Sequence, residues 1–285
     1  MLIQLLHRQI RRRYHRFGFE DRFLQVGRFT LHSYERYCPD SRGTLVLLHG
    51  LGTSSSTWVR ILPSLELKSN IVALDLPGFG LSTINAGSRF ADIHELQESI
   101  VEFIRQRVPG PIILLGHSLG GWLAAKYAVE HAENINHLVL ADSAGILCEE
   151  TMEQGNAFQV ESVGDLIRLL DVIWFRYPWY FKPFYPAVLN DMRKRQVAEF
   201  VRSIHADDFL NDILGKLTMS VSIIWGKEDK LISMKSVDIM KQSLPNARVY
   251  LIDQCGHVPQ LEQPKNFAGI IRQALEEEMD AKSAQ

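Results

Sequence analysis

The sequence predicts an α/β protein with a mainly parallel sheet, covered by helices on both faces, and a helical insertion between two of its strands. Short apolar runs that end in glycine-containing turns alternate with amphipathic helical segments along most of the chain. Such alternation favours a parallel sheet. The chain has 285 residues, 46% of them hydrophobic, so it can bury a large core and falls outside the disordered and fibrous classes.

The predicted elements follow one another in a regular order. Residues 22–37 alternate apolar and polar side chains around Gly27, which predicts a two-stranded hairpin. Residues 91–108 place apolar side chains on one helical face and predict an amphipathic helix. Further buried strands are predicted at residues 44–50, 70–78, 111–117, 137–145, 220–229 and 247–253. Segments of helical character follow at residues 57–67, 119–132, 233–245 and 264–279.

The composition excludes several classes of function. A formal net charge of −2 provides no overall attraction to nucleic acid. The three cysteines, Cys38, Cys148 and Cys255, are widely separated, so they predict neither a disulfide framework nor a metal site. They favour a reducing, cytoplasmic location. No apolar run approaches the ~20 residues that are needed to cross a bilayer.

Residues 1–18 form a separate segment, in which apolar side chains at helical spacing are followed by many arginines. A signal peptide has its charges before a longer apolar stretch, so the order of this segment excludes one. One interpretation is a short helix in peripheral contact with an anionic membrane surface; the second is a solvated leader whose leucines rest on the domain. The remaining chain divides into a core of residues 19–146 and 216–285 and an insertion of residues 147–215.

The insertion is predicted to be a helical lid over the strand ends, because it contains no clear strand pattern. Eight of the twelve residues at positions 174–185 are aromatic. Aromatic side chains clustered over a cleft are typical of an apolar ligand wall, and packing within the insertion is the alternative explanation. The side chains that this pattern predicts to contact a substrate are Trp174, Phe175, Tyr177, Trp179 and Phe181.

The segment GHSLGG at residues 116–121 is the first candidate catalytic motif. Ser118 follows a predicted buried strand and precedes a predicted helix, which is the context that makes this motif informative. A residue on such a tight turn adopts unfavourable backbone angles, and Gly116 and Gly120 remove side chains that would collide with the strand and the helix. The sequence therefore predicts that Ser118 is a nucleophile with its hydroxyl held out of the sheet.

A serine nucleophile needs a base that is itself oriented by an acid. His257 follows the last predicted strand, and Asp229 lies in the loop after the strand before it. The chain order of Ser118, Asp229 and His257 is that of the α/β-hydrolase arrangement. Glu228 and Asp142 are alternatives for the acid, and Asp142 follows the strand at which some hydrolases place it.

Hydrolysis also requires hydrogen-bond donors for the negatively charged oxygen of the tetrahedral intermediate. The turn after the predicted strand at residues 44–50 can direct the backbone N–H of Leu51 at the pocket. The backbone N–H of Leu119, directly after the nucleophile, is the second predicted donor.

Together, the segments HGLG, DLPGFGLS, GHSLGG, WGKED and GHVPQLEQP resemble the serine-dependent α/β-hydrolase superfamily. The resemblance covers almost the whole chain from Phe23 onward. It implies an eight-strand sheet, a lid after the sixth strand, and a triad of Ser118, Asp229 and His257. This chemistry requires no metal ion or organic cofactor.

Within the superfamily, the chain is similar to carboxylesterases and monoacylglycerol-lipase-like enzymes. The expected function is therefore cleavage of small-molecule or lipid-like esters of apolar acyl chains. One alternative is a methyl-ester esterase that acts on acyl chains of acyl carrier protein and binds this acidic carrier through Arg193, Lys194 and Arg195. Two more remain open, namely a hydrolase of C–C bonds in ring-cleavage products and a binding protein of this fold without catalytic activity.

Overall fold

A computed structural model describes residues 2–41, 43–65, 68–85, 90–150, 155–194 and 197–283. The strands of the described residues are β1 Glu20–Val26, β2 Phe29–Arg36, β3 Thr44–Leu48, β4 Asn70–Leu74, β5 Thr83–Ile84, β6 Ile112–His117, β7 Ile135–Ala141, β8 Ser220–Gly226 and β9 Arg248–Ile252. The α-helices are α1 Leu2–Arg16, α2 Leu62–Leu65, α3 Ile93–Arg107, α4 Leu119–Glu130, α5 Val163–Ile173, α6 Tyr185–Lys194, α7 Val197–Arg202, α8 Lys235–Ser243, α9 Pro259–Glu262 and α10 Pro264–Ser283.

All described strands belong to one twisted sheet. Eight of them lie in the order β1-β2-β4-β3-β6-β7-β8-β9, and the two-residue strand β5 pairs with β2 at the side of this path. Strand β2 is antiparallel to β1 and β4, whereas every pair from β4 to β9 is parallel. The mostly parallel eight-strand sheet expected from the resemblance is therefore confirmed, with β5 as a small addition that the sequence pattern did not reveal.

The central strands are buried on both faces, which explains why they appear in the sequence as continuous apolar runs. Successive residues of β3 alternate between two hydrophobic clusters: Val46 and Leu48 face the layer that contains α3 and α4, and Leu45 and Leu47 face the layer of α10. Because the carboxyl ends of parallel strands meet at one edge of the sheet, the loops after β3, β6, β7, β8 and β9 come together there.

Helix α3 shows how the local sequence sets a boundary. The Asp92 side chain accepts a hydrogen bond from the Glu95 N–H at 2.9 Å, and the Glu95 carboxylate accepts one from the Asp92 N–H at 3.2 Å. This reciprocal arrangement satisfies donors that the first helical turn leaves free. The helix buries Ile93, Leu96 and Ile100 on one face, as the spacing of residues 91–108 predicts.

Helix α1 packs its C-terminal part against the domain. The Tyr14 side chain is fully buried, stacks on Tyr34, and donates a hydrogen bond from its hydroxyl to the Ser55 carbonyl at 2.6 Å. Three arginines at helical spacing, Arg8, Arg12 and Arg16, stay exposed on the same helix. The helix thus packs on the domain through Tyr14 and exposes these arginines to solvent.

The insertion between β7 and β8 consists of α5, α6, α7 and short 3₁₀ turns, and its described residues form no strand. Helix α5 starts with Ser162 and Asp165 in a reciprocal cap and buries Leu166 and Leu169. No described helix is both long enough and apolar enough to span a membrane.

Candidate active site

Ser118 lies on the turn between β6 and α4 with φ 54° and ψ −121°. A positive φ is unfavourable for serine, and several contacts impose it here. The Ser118 N–H donates to the Ala141 carbonyl at 3.0 Å. A Cβ atom on Gly116 would lie 2.1 Å from the Gly120 carbonyl oxygen, and one on Gly120 would lie 2.2 Å from the Leu48 oxygen. The glycines predicted to flank the nucleophile are therefore required by backbone packing.

Asp229 and His257 form a buried hydrogen-bonded pair. The His257 Nδ1 lies 2.8 Å from the Asp229 Oδ2, and the exposed fractions of the two side chains are 4% and 0% respectively. The second carboxylate oxygen, Oδ1, accepts hydrogen bonds from the N–H groups of Leu231 and Ile232 at 2.8 and 3.0 Å. A carboxylate held in this way favours a proton on Nδ1 and leaves Nε2 free to accept one.

His117 joins the strand end before Ser118 to the loop of His257. Its Nε2 donates a hydrogen bond to the His257 carbonyl at 2.6 Å, and the two imidazole rings are 5.0 Å apart. Burial lowers the pKa of His117 to about 3, so this imidazole is neutral at physiological pH. The sequence pattern did not reveal this contact, because residues distant in the chain provide its partner.

The two residues whose backbone N–H groups are predicted to stabilise an oxyanion lie at the same cavity as Ser118. Leu51 and Leu119 both line the cavity that contains Ser118. A Cβ atom on Gly50 would lie 3.1 Å from the Ser118 Cβ, which shows how close the turn after β3 approaches. Leu119 is the first residue of α4, where backbone N–H groups have no partner within the helix and the helix dipole favours negative charge.

The cavity beside Ser118 has a volume of about 340 Å³ and mostly apolar walls. The insertion contributes Phe158, Phe200, Val201, Ile204 and Phe209, and the core contributes residues including Leu51, Trp122 and Leu231. None of the five aromatic side chains that the sequence pattern predicted as substrate contacts lines this cavity. Phe200, Val201 and Ile204 do line the cavity, and their apolar spacing at i, i+1 and i+4 was the signal in the sequence that could have indicated them.

The five predicted aromatic residues lie elsewhere in the insertion. The rings of Trp174, Tyr177 and Phe181 pack against one another with centroids 5.9 to 6.4 Å apart. Trp179 is 76% exposed. The Phe175 N–H donates to the Glu262 Oε2 at 2.9 Å.

The aromatic stretch, residues 174–185, lies against the loop that carries His257, and hydrogen bonds that involve backbone groups connect the two segments. The His257 N–H donates to the Ile173 carbonyl at 2.7 Å. The Glu262 Oε1 accepts a hydrogen bond from the Gly256 N–H at 2.9 Å, so one carboxylate bonds both to this loop and to the aromatic stretch. A Cβ atom on Gly256 would lie 2.6 Å from the Ile173 oxygen.

The two alternative acids have different surroundings from Asp229. The Glu228 Oε2 accepts a hydrogen bond from the Cys255 N–H at 2.8 Å. Asp142 lies beside the pair: one carboxyl oxygen of Asp142, one of Asp229 and one ring nitrogen of His257 lie within 4.8 Å of one another. Such a group could hold a cation, but the direct hydrogen bond between His257 and Asp229 already engages one atom of each.

Comparison with known proteins agrees with the observed fold. Residues 45–270 match the family model described as "Alpha/beta hydrolase family". Monoacylglycerol lipase abhd6-A of Xenopus laevis is 22% identical over 90% of this chain and 82% of its own length. A pimeloyl-[acyl-carrier protein] methyl ester esterase of Vibrio vulnificus is 27% identical over 78% of this chain and 90% of its own. The crystal structure of a bacterial membrane phospholipase A superimposes with a TM-score of 0.82 at 26% identity, over 97% of this chain and 92% of that one.

The protein belongs to the alpha/beta hydrolase family. Within that family, it is an ester hydrolase.

Proposed function

We propose that the protein cleaves carboxylic esters of apolar acyl chains through an acyl-enzyme formed on Ser118. The observation that carries this proposal is the apolar cavity at Ser118. Ser118 lies at the edge of the sheet where the loops of the hydrogen-bonded His257 and Asp229 also lie. The named activities of the lipase and esterase relatives support the same reaction class.

In the proposed reaction, the Ser118 hydroxyl attacks the ester carbonyl while His257 Nε2 takes its proton. The backbone N–H groups of Leu51 and Leu119 stabilise the oxyanion, and Asp229 stabilises the imidazolium. His257 then protonates the leaving alcohol, and the acyl group remains on the Ser118 oxygen. Water, deprotonated by His257, attacks this acyl-enzyme and releases the carboxylic acid.

The volume of the cavity limits the length of the acyl chain that can bind in it. A volume of about 340 Å³ lies near the lower end of the range for ligand cavities, about 300–1,000 Å³. We therefore expect a single acyl chain of short to medium length to occupy it.

Ser118→Ala tests the nucleophile. We expect the variant to lose hydrolysis of p-nitrophenyl esters and covalent labelling by a fluorophosphonate probe, because both need the hydroxyl oxygen. The thermal midpoint should stay close to that of the wild type, since the hydroxyl contributes little packing. Turnover at the wild-type rate, with the variant correctly folded, would contradict the proposal.

The proposed natural substrate is a lipid-like ester, reached through peripheral contact of α1 with an anionic membrane. The exposed row of Arg8, Arg12 and Arg16 supports this contact, as does the likeness to a membrane phospholipase A. Each arginine near an anionic surface contributes about 1 kcal/mol. Reversing the three charges to glutamate should weaken binding to anionic vesicles by about a hundredfold or more in a low-salt sedimentation assay.

This design leaves α1 attached, because Tyr14, which anchors the helix, is unchanged. Hydrolysis of a soluble short-chain ester is the control and should not change. Zwitterionic vesicles provide a second control, since they lack the negative charge. Unaltered binding to anionic vesicles would refute the membrane contact and leave the esterase proposal intact.

Acyl chains of acyl carrier protein are the second candidate substrate, because the Vibrio vulnificus relative is named for such an ester. Of the basic positions predicted for carrier binding, Arg193 donates to the Glu161 carbonyl. Arg195 and the side chain of Lys194 lie outside the described residues. Comparing kcat/KM for a free methyl ester with that for the carrier-bound ester distinguishes the two candidates.

A further inference from the structure

Asp142 is a buried carboxyl group that the proposed reaction does not use. It directly follows β7, is 0% exposed, and has φ 41°, an uncommon backbone conformation for a residue with a side chain. Its Oδ1 accepts a hydrogen bond from the Gly226 N–H at 2.9 Å. Its Oδ2 is buried, and no N–H or O–H group in the described part of the chain donates to it.

The neighbours of Asp142 are predominantly negative or neutral. Asp229 faces it from the loop after β8 and Glu262 from α9, and His257 lies on the loop after β9. In the described part of the chain, the N–H groups of Leu231, Ile232 and His257 donate to the Asp229 carboxylate, and such hydrogen bonds stabilise a negative charge. Ionising both of two buried carboxyl groups whose oxygens lie within 4.8 Å of each other would strongly raise the free energy of the folded protein.

We propose that Asp142 is a positioning residue that stays protonated at neutral pH and donates a hydrogen bond from Oδ2–H to the Asp229 carboxylate. Oδ2 then has the partner that it lacks as an ionised oxygen. Asp229 receives a fourth donor, which holds its carboxylate in the orientation that His257 requires. Burial and the negative charge of Asp229 both raise the pKa of Asp142 well above its usual value, which agrees with this protonation.

Infrared spectroscopy tests the proton directly. At pH 7 the difference spectrum between the wild type and Asp142→Asn should contain the C=O stretch of a protonated carboxyl group, and this band should shift in D₂O. Absence of the band would overturn the proposal. This measurement does not depend on turnover.

The pH–rate profile of the same variant gives a second test. An asparagine amide is neutral and can both donate to Asp229 and accept from Gly226, so it reproduces the proposed state of Asp142. The acidic limb of kcat/KM should therefore stay in place. If Asp142 were ionised, the asparagine would remove a negative charge that favours a protonated neighbour within 4.8 Å, and that limb would move to lower pH. Such a shift would refute the proposal.

Asp142→Ala removes both hydrogen bonds and shows whether the positioning matters. We expect kcat to fall by about 10- to 100-fold with KM nearly unchanged, because a hydrogen bond to a charged group is lost. Asp142→Asn should restore most of the rate. An alanine variant with full activity would contradict the positioning role, and if this variant does not fold, the two tests on Asp142→Asn remain decisive.

Thermal unfolding measured against pH is an independent readout. Since the folded-state pKa of Asp142 is raised above that of the unfolded chain, the wild type loses stability as pH rises from about 4 toward that folded value. Asp142→Asn lacks this loss, so its stability relative to the wild type should increase over that range. A constant difference between the two proteins would contradict the protonation.

This inference rests on the proposed triad, and the tests separate the two. If Ser118→Ala abolishes turnover but the carboxyl band is absent, only the role of Asp142 fails. If the band is present but Ser118→Ala retains turnover, the proposed reaction fails and the protonation of Asp142 stands.

Discussion

Replacement of Asp229 by asparagine tests the proposed acid, because the surrounding hydrogen bonds determine how the amide must sit. In the wild type, Oδ1 accepts from the N–H groups of Leu231 and Ile232, and Oδ2 faces His257 Nδ1. The amide oxygen of the new side chain must take the place of Oδ1, so its NH₂ group faces Nδ1. The imidazole proton then moves to Nε2, which can no longer accept the proton of Ser118.

The structure also sets the size of the effect. The His257 Nδ1 and the Asp229 Oδ2 are 2.8 Å apart. For opposite unit charges about 4 Å apart, an effective dielectric constant of about 20 gives an attraction of about 4 kcal/mol, or about a thousandfold in rate. The wrong tautomer adds to this loss. We therefore expect kcat to fall by about 10³- to 10⁴-fold in Asp229→Asn, with KM changed far less.

Steady-state hydrolysis of a short-chain p-nitrophenyl ester measures this effect, with the thermal midpoint as a check on folding. Glu228→Gln is the matched control, because the neighbouring Glu228 uses one oxygen to accept from the Cys255 N–H, and a glutamine can retain that bond. The control should stay close to the wild-type rate. If folded Asp229→Asn retained more than about a tenth of the wild-type kcat, the assignment of the acid and the tautomer argument would both be wrong.

The packing supports three further predictions. Phe200→Leu should shift the preferred ester to longer acyl chains in a chain-length series, whereas Phe181→Leu, outside the cavity lining, should not; equal shifts would contradict the acyl assignment. Tyr14→Phe removes the hydroxyl that donates to the Ser55 carbonyl, so the free energy of unfolding measured by urea titration should fall by about 1 kcal/mol. An unchanged free energy of unfolding would show that this hydrogen bond does not stabilise the protein. Gly120→Ala should prevent correct folding and so reduce the yield of soluble protein, because the new methyl group would overlap the Leu48 carbonyl. Gly269→Ala is the control and should fold normally, because no atom lies within 4 Å of the added methyl group.

The sequence predicts the sheet and the tight turn at Ser118 well because both depend on local physical constraints. Buried parallel strands need continuous apolar runs, and such runs predicted β3, β4, β6, β7, β8 and β9. The turn at Ser118 needs glycine at residues 116 and 120, because any side chain there would meet backbone atoms at about 2.1 to 2.2 Å. These requirements appear in the sequence as fixed spacings.

The lining of the cavity could not be predicted in the same way. It depends on how the insertion folds back over the sheet, and no local pattern specifies that arrangement. Apolar side chains of α7 and the following turn, such as Phe200 and Ile204, line the cavity at Ser118, whereas the richest aromatic stretch lies elsewhere. The contact of His117 with the His257 carbonyl and the position of Asp142 beside Asp229 likewise join residues that are far apart in the chain.

The location of the aromatic stretch has a physical cause in two residues near the end of the chain. Glu262 accepts N–H groups from both Gly256 and Phe175, and the absence of a side chain at Gly256 lets the Ile173 carbonyl approach and accept the His257 N–H. These backbone bonds hold the start of the aromatic stretch against the histidine loop. The rings of Trp174, Tyr177 and Phe181 then pack on one another, whereas Phe200 and Val201 of the less aromatic α7 line the cavity at Ser118. In this chain, therefore, the segment richest in aromatic residues is held against the histidine loop, and a less aromatic segment lines the cavity at Ser118.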